Sequence, residues 1–375
     1  MTHLHLSDLD FAGKQVLLRV DYNVPLDKKN QLADLSRIRK TIPTLRYLLK
    51  KKARHIIILT HLGRPEGKRV PSLSTKRLKS TLEKMLRRKI GFLANVEQKI
   101  PAEQLVLFEN LRFWKEEENN DAAFAQKLAT LGDVYVNDAF SVCHRAHASV
   151  VGIPCYLPSC SGLVLDTEIE KISTALHNPQ RPFLAIIGGA KVETKIALLE
   201  NLLTRVDHLL IGGRMPFAFA AAQNPAHKNQ KNTKIDTKSL QCAAKLLKNK
   251  TFLRKAILAE DFVAGDKDIG TQSIARFVAE IKRARTIVWN GTMGIVEDAR
   301  YQRGTRELAR AIAARTLSAT TIVGGGETAG FVAQLRLTNA FSHVSTGGGA
   351  AVVLFEGGKL VGVQALEESV HGSRK

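Results

Sequence analysis

The sequence predicts an α/β fold of two Rossmann-like domains, each with a parallel sheet, joined by a hinge helix. Three observations carry that expectation. Short β-rich apolar runs recur along the 375 residues, each followed by a longer stretch of helical period, the alternation of parallel strands with crossover helices. Ten such runs are too many for one small sheet, and too unevenly spaced for a barrel of eight similar units. Near the middle, residues Gly152–Gly162 are crowded with turn formers, and a helical stretch at about Leu165–Leu176 follows, ended by Asn178-Pro179.

In order, the expected strands are Val16–Arg19, His55–Leu59, Leu105–Phe108 and Val134–Val136 in the first half. Leu184–Ile187, His208–Ile211, Ala256–Ala259, Thr286–Trp289, Thr320–Val323 and His343–Ser345 follow in the second. The division places a first domain at residues 1–162, a hinge helix and second domain at 163–363, and a tail at 364–375.

Composition bounds the function. Apolar residues at 44% and charged residues at 24% exclude a disordered or fibrous chain. Four scattered cysteines suit neither a disulfide framework nor a four-cysteine zinc site. With no secretory pattern at the N-terminus and no long apolar run, a reducing cytoplasmic setting is expected. The net charge is +21, of which +15 lies in residues 1–100. Such an excess raises nucleic-acid binding as a possibility, but no RNA-binding aromatic motif or zinc-finger spacing accompanies it. Two basic runs, Lys50–Arg54 and Arg87–Lys89, read as solvated helix faces.

Open α/β sheets bind ligands at the carboxyl ends of their strands. In the second half those points carry Gly188-Gly189-Ala190-Lys191, Gly212-Gly213, Gly291, Gly324-Gly325-Gly326-Glu327-Thr328 and Gly347-Gly348-Gly349. A turn without a Cβ lets backbone N–H groups approach an anion, and a helix starting there aims its positive end at the same place. Five such turns imply a polyphosphate ligand. A P-loop is disfavoured, because the nearest string, Gly63–Arg69, has the wrong spacing and the wrong final residue. Gly324, Gly326 and Ala329 fit a dinucleotide fingerprint, but the next strand ends without the ribose-binding carboxylate.

The first half offers Asp21 and Asn23 after its first strand, Arg37 opening the next helix, His61 and Arg64 after the second strand, Arg112 after the third, and Arg145 beyond the fourth. Arginine holds phosphate or carboxylate in a bidentate fork, so this set suits a small, multiply charged acid. His144 and His147 have a spacing that metals use, but no third ligand lies nearby, and they read as structural or solvated.

These strings resemble the phosphoglycerate kinase family. Arg19-Val20-Asp21-Tyr22-Asn23-Val24-Pro25, His61-Leu62-Gly63-Arg64-Pro65, Glu109-Asn110-Leu111-Arg112-Phe113, His144-Arg145-Ala146-His147, Gly188-Gly189-Ala190-Lys191-Val192, Trp289-Asn290-Gly291 and Ser345-Thr346-Gly347-Gly348-Gly349-Ala350 stand in the family's order. The resemblance implies a monomeric two-lobed enzyme that transfers a phosphoryl group between 1,3-bisphosphoglycerate and ADP, giving 3-phosphoglycerate and ATP, with Mg2+ on the nucleotide. It implies that Asp21, Asn23, Arg37, His61, Arg64, Arg112 and Arg145 hold the triose acid, and that the tail packs back on the first lobe. Lys191, Lys195, Glu297, Gly325, Gly326, Glu327 and Thr328 would hold the nucleotide, with Glu327 toward its magnesium. Arg37, Lys191, Gly348 and Gly349 would serve the transfer itself. Some positions depart from the pattern: Thr292 and Thr271-Gln272 stand where the family usually has proline, Glu327 where it has aspartate, and Arg214 where it has a third glycine; the last two matter most. They motivate an alternative, a catalytically weakened protein of the same fold that binds without turnover.

Overall fold

A parallel strand covered on both faces must be apolar along its whole length, because neither face can carry a side chain into water. The strand cores obey this: Val16–Leu18, Ile56–Leu59, Leu105–Phe108 and Phe183–Ile187 are buried throughout. The computed structural model describes residues 3–27, 31–224 and 235–372. They fall into two units, the first within Met1–Ile169 and Lys359–Lys375 and the second within Glu170–Gly358.

The first unit holds strands β1 (Gln15–Arg19), β2 (His55–Leu59), β3 (Ile90–Leu93), β4 (Leu105–Phe108), β5 (Val134–Asn137) and β6 (Ser159–Ser161). Among the described residues they form one parallel sheet in the order β3-β4-β2-β1-β5-β6. Its helices are α1 (Ser36–Lys50), α2 (Lys79–Leu86), α3 (Lys115–Glu118), α4 (Ala122–Ala129) and α5 (Leu163–His177), the last of which runs on into the second unit.

The second unit contains β7 (Phe183–Ile187), β8 (His208–Ile211), β9 (Ala256–Leu258), a small hairpin of β10 (Phe262–Val263) and β11 (Asp268–Ile269), then β12 (Thr286–Asn290), β13 (Thr320–Gly324) and β14 (His343–Val344). Its main sheet runs β14-β13-β12-β7-β8-β9, and all its described pairings are parallel. The helices are α6 (Ile196–Leu203), α7 (Met215–Gln223), α8 (Thr237–Leu247), α9 (Lys250–Lys255), α10 (Thr271–Arg283), α11 (Arg303–Ala313), α12 (Gly326–Gln334) and α13 (Gly349–Phe355). A final helix, α14 (Val361–Gly372), belongs to the first unit, where Gly362 N donates to Cys143 O at 2.9 Å. Residues 373–375 of the expected tail lie outside the described residues.

Both sheets are doubly wound. Strand order reverses between β1 and β5 in one and between β7 and β12 in the other, and ligands of such sheets bind at that switch point. All ten expected strands are present, with Ala259 and Ser345 falling just beyond β9 and β14. The turn-rich middle is not simply a break, because Ser159–Ser161 within it form β6 at the sheet edge. The two basic runs are not helix faces. Lys50 ends α1 and Lys51 caps it, while Arg87 caps α2 in the left-handed region and Arg88-Lys89 lead into β3. They are solvated as expected, and positive charge there complements the negative helix ends.

Candidate functional sites at the two switch points

In the first unit, Asp21 follows β1 and is the hub of the crevice. Its Oδ2 accepts hydrogen bonds from Arg37 at the start of α1 and from the Ser141 hydroxyl beyond β5. Its Oδ1 accepts from Asn23 N at 2.9 Å. Asn23 in turn accepts from Gly63 N at 2.8 Å, locking the loop after β1 to the loop after β2. Asn110 serves the next pair: its Nδ2 donates to Leu62 O (2.7 Å) and Leu73 O (2.9 Å), and its Oδ1 accepts from Arg112 N at 3.1 Å.

Beneath this surface lies a network that the sequence reading did not single out. Arg19, in β1 and 1% exposed, donates from Nε to Ser149 Oγ at 2.8 Å and lies 3.9 Å from Glu117 Oε1. Glu117 is fully buried and accepts from Ser149 N (2.9 Å) and Oγ (2.6 Å). Arg19 also reaches His61 Nδ1 at 3.3 Å. A guanidinium can only donate, so Nδ1 accepts and the neutral His61 carries its hydrogen on Nε2, 4.0 Å from Asp21 Oδ1. Burial, followed by the Arg19, Arg112 and Arg37 charges, holds the His61 pKa well below the ordinary histidine range. His147 is pushed down to about 3 by burial and by the Arg19, Arg112 and Arg145 charges. Both histidines are therefore neutral near pH 7.

The remaining arginines differ in their surroundings. Arg112 is 3% exposed, donates to Gly63 O at 2.9 Å and lies 3.2 Å from Glu118 Oε1; burial lowers its pKa to about 10, so it stays charged. Arg145 Nε donates to His144 Nε2 at 3.3 Å. Arg64 is exposed. Neither Arg64 nor Arg145 has a carboxylate within 4.0 Å among the described residues, so both guanidiniums keep uncompensated charge.

The second unit treats its switch point differently. Gly188 N donates to Asn290 O at 2.9 Å, and Arg214 N to Gly189 O at 2.9 Å. A Cβ on Gly188 would meet Thr292 O at 2.1 Å, one on Gly291 would meet Gly188 O at 2.1 Å, and one on Gly213 would meet Gly189 O at 2.4 Å. These glycines are required because backbone packs on backbone. A Cβ on Gly326 would meet nothing within 4 Å, and one on Gly348 only Gly326 N at 4.0 Å. The five glycine turns therefore divide: those after β7, β8 and β12 let strand ends approach, while Gly326 and Gly348 leave open space for a ligand.

Charge around that space comes from few groups. Lys195, half-buried, donates to Asn290 Oδ1 at 2.6 Å, and burial lowers its pKa against the opposing pull of Glu356 and Glu327. Lys191 is exposed, 3.6 Å from Glu193. Thr328 Oγ1 accepts from Gly291 N at 2.9 Å, tying the first turn of α12 to the end of β12. Glu327 has its pKa raised by burial and by the neighbouring Glu297 carboxylate. A cavity of about 170 Å³ adjoins them, lined by Gly213, Arg214, Asp266, Gly294, Glu297 and Glu327 among others. The added charge of Arg214 is balanced there by Asp266 at 2.8 Å.

Gly349 opens α13 and Gly348 caps it with φ 42°, a backbone conformation that glycine adopts readily. Taken together, the two doubly wound sheets, one with an arginine-lined crevice and one with an open glycine turn at a helix start, define an α/β protein built to hold two anions. The family model for phosphoglycerate kinase matches residues 6–358. The phosphoglycerate kinase of Coprothermobacter proteolyticus is 39% identical, with 96% of this chain and 98% of that protein covered. That of Moorella thermoacetica is 41% identical, over 98% of this chain and 100% of the relative. Among solved structures, phosphoglycerate kinase from Coxiella burnetii superposes with a TM-score of 0.86 at 34% identity, covering 98% of this chain and 99% of that one. The enzyme from Pyrococcus horikoshii gives 0.80 at 28% identity, with the same coverage of 98% and 99%. The chain belongs to the phosphoglycerate kinase family. No finding favours a binding-only protein over an enzyme, and among the described residues no helix is long and apolar enough to cross a membrane.

Proposed function

We propose that the chain transfers a phosphoryl group reversibly between 1,3-bisphosphoglycerate and ADP, with the triose acid on the first unit and the nucleotide on the second. The observation that carries the assignment is the cationic crevice after β1, β2, β4 and β5. There Arg37, Arg64, Arg112 and Arg145 lie, with a neutral His61, on the segments that follow these strands, and two of the four arginines lack a carboxylate partner among the described residues. Asp21 holds Arg37 in place, and Asn23 fixes the loop that carries Arg64. His61, uncharged near neutral pH, serves as a hydrogen-bond donor through Nε2.

In the ATP-consuming direction the nucleophile is a carboxylate, already ionised at pH 7, so no general base is needed. The demands are positioning and charge compensation. Arg37 compensates the acceptor end. Lys191 and the amides of Gly348 and Gly349 compensate the donor end, and Lys195, Gly325, Gly326 and Thr328 hold the nucleotide phosphates. Glu297 and the cavity beside it would receive the nucleoside.

The Glu327 carboxylate, a hard oxygen donor beside the like charge of Glu297, suits a divalent cation that arrives on the nucleotide. Glu327 would hold that magnesium, which when bound supplies positive charge to the phosphates. The test is the initial rate of ATP consumption with and without 3-phosphoglycerate, before and after chelation. Consumption that requires both the acid and a divalent cation supports the reading; consumption indifferent to 3-phosphoglycerate overturns it.

A further inference from the structure

We infer that His3, His5 and Asp166 form a binding site for a divalent transition-metal ion of the zinc class, separate from both switch points. Potential ligand atoms of the three side chains lie within 4.8 Å of one another. His3 Nε2 is 3.4 Å from Asp166 Oδ1, and His5 Nδ1 is 3.0 Å from Asp166 Oδ2. A tetrahedral ion with bonds of about 2.0–2.1 Å separates its ligands by about 3.4 Å, close to both histidine–carboxylate spacings, while the widest separation in the cluster, up to 4.8 Å, must close. Ser161 adds a hydroxyl, donating to Asp166 Oδ1 at 2.5 Å and lying 3.5 Å from His5 Nδ1, where it or a water completes four-coordination. Two imidazoles and one carboxylate are a donor set for zinc rather than for magnesium or calcium.

The surroundings hold these groups ready. Leu4, between the histidines, has its carbonyl bonded by Ser161 N at 2.9 Å, and Leu6 just beyond is 2% exposed in the core. His5 N donates to Asp8 Oδ2 at 2.8 Å, adding a second negative charge nearby. His3 is 7% exposed, and its Nδ1 has no hydrogen-bond partner among the described residues. At present Asp166 alone engages the ring, through Nε2, and on metal binding the hydrogen can pass to Nδ1 so that Nε2 presents a lone pair. Binding replaces the hydrogen bonds that the rings now give Asp166 with two nitrogen–metal bonds. It would cross-link residues separated by more than 160 positions, where closing a long loop gains most. The N-terminal segment would then be clamped to the first turn of α5.

The experiment uses the full chain, made without a polyhistidine tag and stripped with a chelator. It is titrated with Co2+, followed by visible absorption, and with Zn2+, followed by calorimetry. One equivalent should bind with a tetrahedral Co2+ spectrum, and the thermal midpoint should rise. His5→Ala, at a side chain that is half exposed, should weaken binding at least tenfold, and Asp166→Asn should abolish it. His5→Ala should leave the circular dichroism and the magnesium-dependent turnover unchanged. Absence of a stoichiometric site, or equal binding by wild type and His5→Ala, would overturn the assignment and place any bound metal on other histidines or cysteines.

Discussion

The same topological position is built in opposite ways in the two units. At the β1/β5 reversal the crevice is filled by side chains: Asp21, Arg37 and Ser141 above, Arg19, Glu117 and Ser149 below. At the β7/β12 reversal, side chains are stripped away so that Gly188, Gly213 and Gly291 can bring backbone against backbone. A small acid with charges at fixed places is matched by directional guanidiniums. A polyphosphate is better met by amides and helix starts, which require that nothing protrude. The first design concentrates its vulnerability in ionisable groups, the second in steric space.

The largest expected effect is on the first design. Arg37→Ala removes the charge at the acceptor end, and turnover should fall on the order of 10²-fold or more if it acts mainly in the transition state; a steady-state assay with the fold checked by circular dichroism measures this. Next comes a contrast within the second. Gly291→Ala meets Gly188 O at 2.1 Å with φ 95°, and should cost on the order of 3 kcal/mol in urea unfolding. Gly326→Ala meets nothing within 4 Å and should stay within about 0.5 kcal/mol of wild type while raising KM for the nucleotide. Equal destabilisation by both would erase the division of the glycines into packing and ligand-facing sets.

Glu327→Gln tests the carboxyl pair. It should raise KM for the magnesium nucleotide roughly tenfold, about 1.4 kcal/mol, and leave KM for 3-phosphoglycerate unchanged. The smallest effect at neutral pH is the one that acid brings out. His147 has its pKa depressed to about 3, so between about pH 6.5 and pH 3 the unfolded chain binds a proton there that the folded chain does not. Its contribution is present above pH 6.5 and is lost as pH falls, with a slope approaching about 1.4 kcal/mol per pH unit. His147→Gln should flatten the acid limb of stability measured by urea unfolding. Asp138 works in the other direction: its pKa is raised to about 7 by burial, so its protonation stabilises the fold as pH falls through that range.

The strands were legible where burial on both faces forces an apolar run, as in Ile56–Leu59 or Leu184–Ile187. β3 was hidden because Ile90–Leu93 is short, holds a glycine and follows Arg87-Arg88-Lys89. β6 was hidden because Ser159-Cys160-Ser161 carries no hydrophobic pattern; register with β5 and burial make it a strand. The arginines of the first site were legible as strand-end cations, but the network that orients them was not. A signal existed: Arg19, set among apolar residues of a central strand, requires a buried partner, and the acids at Glu116–Glu118 were the candidates. The glycine turns were legible as turns, whereas their division into packing and open positions depends on which backbones meet across the sheet.

The central claim is that the two units hold different ligands. Its most direct test is a steady-state comparison of Arg145→Ala and Lys195→Met, with both substrates varied. The account predicts a crossed result: Arg145→Ala raises KM for 3-phosphoglycerate at least tenfold with KM for ATP unchanged, and Lys195→Met does the reverse. Parallel shifts of both constants in both variants, or a shift of the ATP constant alone in Arg145→Ala, would contradict it.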